Sequence, residues 1–471
     1  MIDLRERSCL PQELAGEVER ARGRLMLLFA QARVLHALVH ERSGNVLHLS
    51  AALRDEFGYP SLTPRIPAAH WYEREIHDLH DIEPIGHPRL EPLVVHEHAE
   101  NGNGHRGGER MLGEDVFLFP YGPVRSGIFE SAQFLVQTGG EDVAYCAQRL
   151  FFKRRGAEQR ICESPPELAV LVAERVSGTS SVAHALAFSH AVEALCGCEV
   201  PVRAQATRRS LAEIERCYNH LEAIVRECED ASLVVAQAQF AVLKERLHRL
   251  AAELVGNRYL RGAVVPGGVR IALDASQADR LRSTLRSWEE DFRATLAILL
   301  RTDSFLDRLV GAGPLARGDA EEFACVGPVA RGSGVTLDAR EDFPYDGYRG
   351  VVVATHADGD AMARMEVRFA EIENALRLIR DAQPDLAGDD ATLAAIGPFT
   401  AQEALGAAES ARGETLYWLE AADEHSFGFC KLRAASFVNY GIFNRLFEGQ
   451  VLTDFSFIEH SLALSPAGCD A

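Results

Sequence analysis

The sequence predicts an α+β chain: a small mixed N-terminal domain, a linker, then a hairpin leading into a large helical core. Three observations predict it. Beyond Val143, apolar residues recur at helical spacing over long stretches, with charged residues between them. Two strand-like runs, 116–119 and 132–137, flank Gly122-Pro123 and suggest a small sheet. Ahead of them, residues 96–109 read HEHAENGNGHRGGE, the composition of a linker. The expected boundaries are 1–98 for the N-terminal domain, 99–115 for the linker and 116–471 for the large domain.

In chain order, residues 11–38 carry helical periodicity through Leu14, Val18, Ala21, Leu25, Leu28 and Phe29, and 45–50 form a strand candidate. Pro67 is a suitable helix start, because its fixed φ suits the first helical position. A helical run covers 183–195. Residues 211–251 read as amphipathic helix, with Glu213, Glu215, Arg216, Glu222, Arg226, Lys244, Glu245 and Arg246 on polar faces. Gly256-Asn257 and Pro266-Gly267-Gly268 end that run, and further helices fit 276–300, 360–382 and 401–407.

A chain of 471 residues with 47 % hydrophobic content supports a substantial core in two or three domains. Its net charge of −20 disfavours nucleic acid and anionic lipid as direct partners, since both need a basic surface. No run of about 18 apolar residues predicts a membrane span. The opening MIDLRERSCLPQEL mixes acids with bases and lacks the apolar core of a secretory signal. The expected location is therefore cytoplasmic. None of the ten cysteines forms a Cys-x-x-Cys pair, so they are expected to be reduced and idle, Cys196 and Cys198 included. His96, His98 and His105 sit in a segment that fixes no ligand geometry.

Two sets of motifs carry a resemblance. The block Ala68-Ala-His-Trp-Tyr-Glu-Arg-Glu-Ile-His-Asp-Leu79, followed by Gly86-His87-Pro88, resembles the C-terminal signature of the small hydrophilic subunit of respiratory complex I. It departs at Leu79-His80-Asp81-Ile82, where that family has Leu-Phe-Gly-Ile. The rest of the chain resembles the large subunit shared by complex I and membrane-bound nickel–iron hydrogenases of the formate hydrogenlyase type. Gly122-Pro-Val-Arg-Ser-Gly-Ile128 with Glu130, Arg155-Gly-Ala-Glu158, Pro201-Val-Arg-Ala-Gln205 and Asn219-His220 occur in the family's order. So do Arg331-Gly-Ser-Gly-Val335, Glu409-Ser-Ala-Arg-Gly-Glu414 and Lys431-Leu-Arg-Ala-Ala-Ser-Phe437.

The resemblance implies an Arg-x-Cys-x-x-Cys element at Arg175, yet the cysteine positions read Ser177 and Ser180. A serine hydroxyl stays protonated near neutral pH and is a poor ligand for a soft metal. The second cysteine pair falls on Ser465 and Gly468, with Cys469 one residue out of register. No metal is therefore expected. The stop at Ala471, where such hydrogenases carry a peptide removed after nickel loading, agrees with that expectation. Quinone-polarising residues have no evident counterpart either, since the hairpin offers Arg125 and Ser126 and the second region Gly178. Arg155, Glu158, Arg412 and Glu414 match positions flanking the metal or proton path in the relatives. They fit a proton relay or a small-anion site, or ion pairs that tie the hairpin to the bundle. His184 and His190 read as buried core histidines, with a relay as the other reading.

By resemblance, the chain is a nickel-free large-subunit homologue in a complex-I-like or hydrogenase-related membrane oxidoreductase. It would couple electron transfer from an iron–sulfur small subunit to antiporter-like, ion-translocating membrane subunits. The iron–sulfur cluster would sit in that partner, with no cofactor in this chain and attachment to the inner face of the cell membrane through partners. Its substrate would be a quinone or another small acceptor reached through a remodelled cavity, or nothing at all, and the family's nicotinamide connection belongs to other subunits of complex I. A docking subunit without redox chemistry is the alternative, and a hydrogenase with unrecognised ligands a third.

Overall fold

A computed structural model describes residues 2–53, 58–94, 116–125, 130–271, 273–386 and 391–470. The linker histidines His96, His98 and His105, and Ser126 of the hairpin, lie outside the described residues. At the N-terminal end β1 (Leu4–Ser8), β2 (Arg24–Gln31), β3 (Val34–His40) and β4 (Val46–Ala52) form one sheet in the order β1-β4-β3-β2. Strand β1 runs parallel to β4, and the other pairs are antiparallel. Residues 11–38 are not one helix: α1 spans only Leu14–Arg20 and the β2–β3 hairpin follows. The apolar run in β2 has side chains buried on both faces, so its helical spacing is incidental. Ala32 and Arg33, at φ 45° and 62°, supply the tight turn between the strands.

The short parallel pair β5 (Tyr59–Pro60) and β6 (Pro84–Ile85) brackets α2 (His70–His80). As expected, a turn of 3-10 helix at Pro67–Ala69 leads into α2. Tyr72 donates to Met26 O at 2.9 Å, and its ring lies 5.0 Å from Phe437, so α2 is wedged between the first sheet and the large domain.

The expected strands appear as β7 (Phe117–Tyr121) and β8 (Gln133–Thr138), and β9 (Val143–Arg149) completes an antiparallel sheet where helix was expected to begin. Short helices α3 (Ala157–Cys162) and α4 (Pro166–Ala173) lead to α5 (Ser181–Cys196), which is buried on nearly every face. The expected helix over 211–251 is two helices, α6 (Val202–Asp230) and α7 (Val234–Val255). Ser232 takes a left-handed φ of 57° and Leu233 N closes back on Cys228 O at 2.8 Å, which ends α6 as a six-to-one turn does. A strand pair, β10 (Val264–Val265) and β11 (Gly268–Val269), precedes α8 (Ala275–Leu299). Four short helices follow, α9 (Asp303–Leu309), α10 (Arg317–Glu322), α11 (Gly327–Arg331) and α12 (Ala339–Asp342), and then α13 (Ala361–Leu386), which packs along α6.

A last antiparallel sheet contains β12 (Glu403–Ser410), β13 (Gly413–Ala421) and β14 (Phe427–Arg433), followed by α14 (Ala435–Tyr440), α15 (Phe455–Leu462) and α16 (Pro466–Cys469). Residues 403–407 are therefore strand rather than helix. Their alanines carry a helical propensity that tertiary contact overrides. That contact is close: a Cβ on Gly406 would stand 2.0 Å from Ala187 O, so α5 lies directly on β12. Gly406→Ala should lower stability by about 1–3 kcal/mol through overpacking. A thermal midpoint unchanged from wild type would show that α5 can move away without penalty.

Candidate functional site

The loops before α5 and at α16 bring the expected vacated positions together. Ser177 Oγ lies 3.2 Å from Ser465 Oγ, although 288 residues separate them. Ser465 donates to Glu130 Oε2 at 2.8 Å, so its single hydroxyl hydrogen is used and Ser177 must donate to Ser465. Gly468 N approaches Ser465 Oγ at 3.3 Å, and Ala467 N donates to Glu130 at 2.7 Å. Ser180 N donates to Ser177 O at 3.2 Å, while its hydroxyl accepts from Arg412 at 2.8 Å. Ser177, Ser180, Ser465 and Gly468 are all buried.

Two arginines close the cluster. Arg155 donates to Val176 O at 2.6 Å, Arg175 O at 2.9 Å and Ala467 O at 2.8 Å, fastening one serine loop to the other. Arg412 reaches Ala463 O at 2.7 Å and Asn219 Oδ1 at 3.1 Å in addition to Ser180. Cys469 is buried, its Sγ 3.7 Å from Ser465 O, and desolvation pushes its thiol well above the ordinary range.

Of the other two expected site residues, Glu158 adjoins this cluster and Glu414 sits elsewhere. Glu158 accepts from Leu432 N at 2.9 Å and lies 3.2 Å from Lys431, which also donates to Glu75 at 2.7 Å. With Gly468 and Cys469 these groups line a cavity of about 20 Å³, room for one water. Glu414 belongs to a different set of partners: two bonds from Arg24, at 3.0 and 2.7 Å, and a contact with Arg433. Burial alone would raise its pKa, but Arg24 and Arg433 outweigh that and hold the carboxyl at about 2. Since Arg24 comes from β2, this is a clamp between the N-terminal sheet and β13–β14.

Burial lowers His184 to about 3, and its Nδ1 lies 3.0 Å from the Tyr417 hydroxyl, which leaves a neutral core histidine. His190 is held between Ala407 O at 2.8 Å and Asp346 at 3.1 Å. Burial opposes its charge, but Asp346 outweighs burial and raises its pKa.

Sequence reasoning placed Glu213, Glu215 and Arg216 on polar faces, and the structure buries all three. Glu215 accepts from Val182 N at 2.7 Å and Ala183 N at 2.9 Å, capping the start of α5, and from Tyr218 at 3.2 Å. Desolvation still pushes it up to about 7, against the lowering effect of those bonds and of Arg412. One turn on, Asn219 joins Arg412, so Glu215 stands one residue layer from the serines. Deeper in, Arg216 contacts Glu213 at 3.0 Å and Glu371 at 3.3 Å, and His220 lies 2.9 Å from Glu371. Arg331 bridges Glu371 at 2.8 Å, Glu409 at 3.0 Å and Asp338 at 3.3 Å, and Arg340 links Asp338 at 2.7 Å to Glu213 at 3.0 Å. The available signal was on α6 itself: Glu213 and Glu215, two residues apart, cannot share one solvent face of a helix.

Residues 230–398 and 397–471 match the family described as respiratory-chain NADH dehydrogenase, 49 Kd subunit. Residues 23–106 match its 30 Kd subunit, so the two are fused in one chain. The chain is 28 % identical over 429 residues to formate hydrogenlyase subunit 5 of Escherichia coli (strain K12), covering 86 % of this chain and 75 % of that protein. It is 27 % identical over 432 residues to hydrogenase-4 component G of the same organism, covering 87 % and 75 %. Among solved structures, a chain of the membrane-bound sulfane sulfur reductase, an archaeal respiratory membrane complex, superposes with a TM-score of 0.72 at 23 % identity, covering 76 % of this chain and 100 % of that one. That likeness matches the large-subunit fold. With residues 230–471, just over half its length, matched to one family, the chain belongs to the 49 Kd subunit family of the respiratory-chain NADH dehydrogenase.

Proposed function

We propose that this chain is a nickel-free large subunit of a complex-I-like or hydrogenase-related membrane oxidoreductase, coupling electron transfer from an iron–sulfur partner to ion-translocating membrane subunits. One observation carries the nickel-free reading: the 3.2 Å contact between Ser177 and Ser465, continued at 2.8 Å to Glu130. Three hydroxyls and a glycine stand at the positions that the resemblance gives to thiolates, and two of those hydroxyls share a hydrogen bond. That donor set does not fit a soft nickel centre. Its bonds fasten the two loops together instead.

The rest of the reading follows from the relatives. Formate hydrogenlyase subunit 5 and hydrogenase-4 component G are named as parts of larger assemblies. Among the described residues no helix is long and apolar enough to cross a membrane, so attachment would come through partners at the inner face. Those partners are a small iron–sulfur subunit and antiporter-like membrane subunits. Arg412 and Glu215, adjoining the serines, would position and exchange protons.

Metal analysis of the purified chain tests the central claim. The expected result is nickel far below stoichiometry, and one equivalent per chain would refute it. Arg412→Ala, and separately Glu158→Ala, should abolish turnover of the assembled complex while assembly persists. Unchanged turnover would favour a docking role without redox chemistry.

A further inference from the structure

We propose that Glu6, His48 and Glu403 form a binding site for a first-row divalent cation, with zinc as the best match, that staples the N-terminal sheet to the large domain. The site is separate from the serine cluster and independent of the function proposed above. Glu6 on β1 and His48 on β4 are direct cross-strand partners, so their side chains leave the sheet on the same face. Glu403, the first residue of β12, meets them from the large domain. One ligand atom from each of the three lies within 4.8 Å of the others.

His48 gives the independent sign. Its side chain is 6 % exposed and its Nδ1 stands 3.0 Å from Glu403 Oε1, yet that nitrogen makes no hydrogen bond. A buried imidazole nitrogen this close to a carboxylate normally takes a hydrogen bond. Two ligands of one cation are about 3 Å apart without pointing at each other, because both point at the ion. The second shell agrees. His48 Nε2 lies 2.9 Å from His36 Nδ1, so a metal on Nδ1 would leave the Nε2 hydrogen donated to His36. Ligating histidines are commonly oriented by donating their other N–H in this way. His36 is in turn stacked 4.9 Å from Phe29, and His48 meets Trp418 edge-on at 4.8 Å, which fixes both rings. Glu6 is exposed, which leaves a route for the ion and room for water to complete its coordination. One imidazole and two carboxylates suit zinc or a similar divalent ion rather than a soft thiolate-seeking one.

The test is a zinc titration of the purified full chain after chelator treatment, read by competition with a chromogenic chelator and by the thermal midpoint. Wild type is expected to bind one tight equivalent and to melt at a higher temperature as zinc rises. Glu6→Gln removes an exposed ligand without touching the core and should weaken binding about tenfold or more. His48→Gln should remove the tight equivalent. A chain with His96→Ala, His98→Ala and His105→Ala together should keep it. Equal zinc affinity in wild type and Glu6→Gln, or loss of the tight equivalent in the triple variant, would overturn the site.

Discussion

Glu371→Ala is expected to lower stability by about 3–5 kcal/mol, a large share of the roughly 5–15 kcal/mol that holds a protein folded. Glu371 is 1 % exposed and contacts Arg216, Arg331 and His220 at 3.3, 2.8 and 2.9 Å. Burial would raise its pKa, but Arg331, His220 and Arg216 outweigh burial and hold it well below the carboxylate range. The protonation around it is consistent. Burial lowers His220 to about 4, so a neutral ring donates from Nε2 to Glu371 and accepts from Arg368 at Nδ1, 3.3 Å away. Removing the carboxylate leaves two buried guanidiniums short of a counter-charge, the arrangement in which breaking one partner costs most. The midpoint of urea unfolding, followed by far-UV circular dichroism, measures the loss. Arg282→Ala, at an exposed pair with Asp279, should change it by less than about 0.5 kcal/mol. A Glu371→Ala value as small would show that the buried charges do not hold α6, α11 and α13 together.

That network also marks the limit of what the sequence makes legible. Helices α6, α8 and α13 can be read from periodicity because their apolar residues recur over many turns. The β2–β3 hairpin cannot, since it is apolar on both faces, and alanine-rich β12 becomes a strand only under α5. The break at Ser232 depends on one left-handed residue without a glycine. In the site, the motif register alone placed Ser177 and Ser465 as a pair, and the fold brings them into contact. Glu414 pairs with Arg24, 390 residues away, a partner that no local motif reveals. Glu215 and Glu371 were passed over for a related reason. A charged residue on a helix announces solvent until the distant helix that neutralises or buries it is known.

Glu215→Gln should change how stability depends on pH. The folded-state pKa of Glu215 is about 7, raised chiefly by desolvation from an ordinary 4.5. Between those values the unfolded chain releases a proton that the folded chain keeps. Folding therefore loses stability as pH rises through this window, is most favoured by this group below it, and is unaffected further above it. The full swing is roughly 3 kcal/mol. Glutamine cannot ionise, and its amide oxygen can still accept from Val182 N and Ala183 N at the start of α5. The variant should therefore gain roughly that amount relative to wild type between pH 4.5 and 7, seen as diverging urea midpoints; parallel profiles would show that Glu215 is already ionised in the fold. The same substitution separates structure from function. If Glu215 exchanges protons beside Arg412 and the serines, the assembled complex should lose turnover although the chain is more stable at neutral pH. A stabilised variant with full turnover would make Glu215 only the cap of α5, and would leave Arg412 and Glu158 as the residues on which turnover depends.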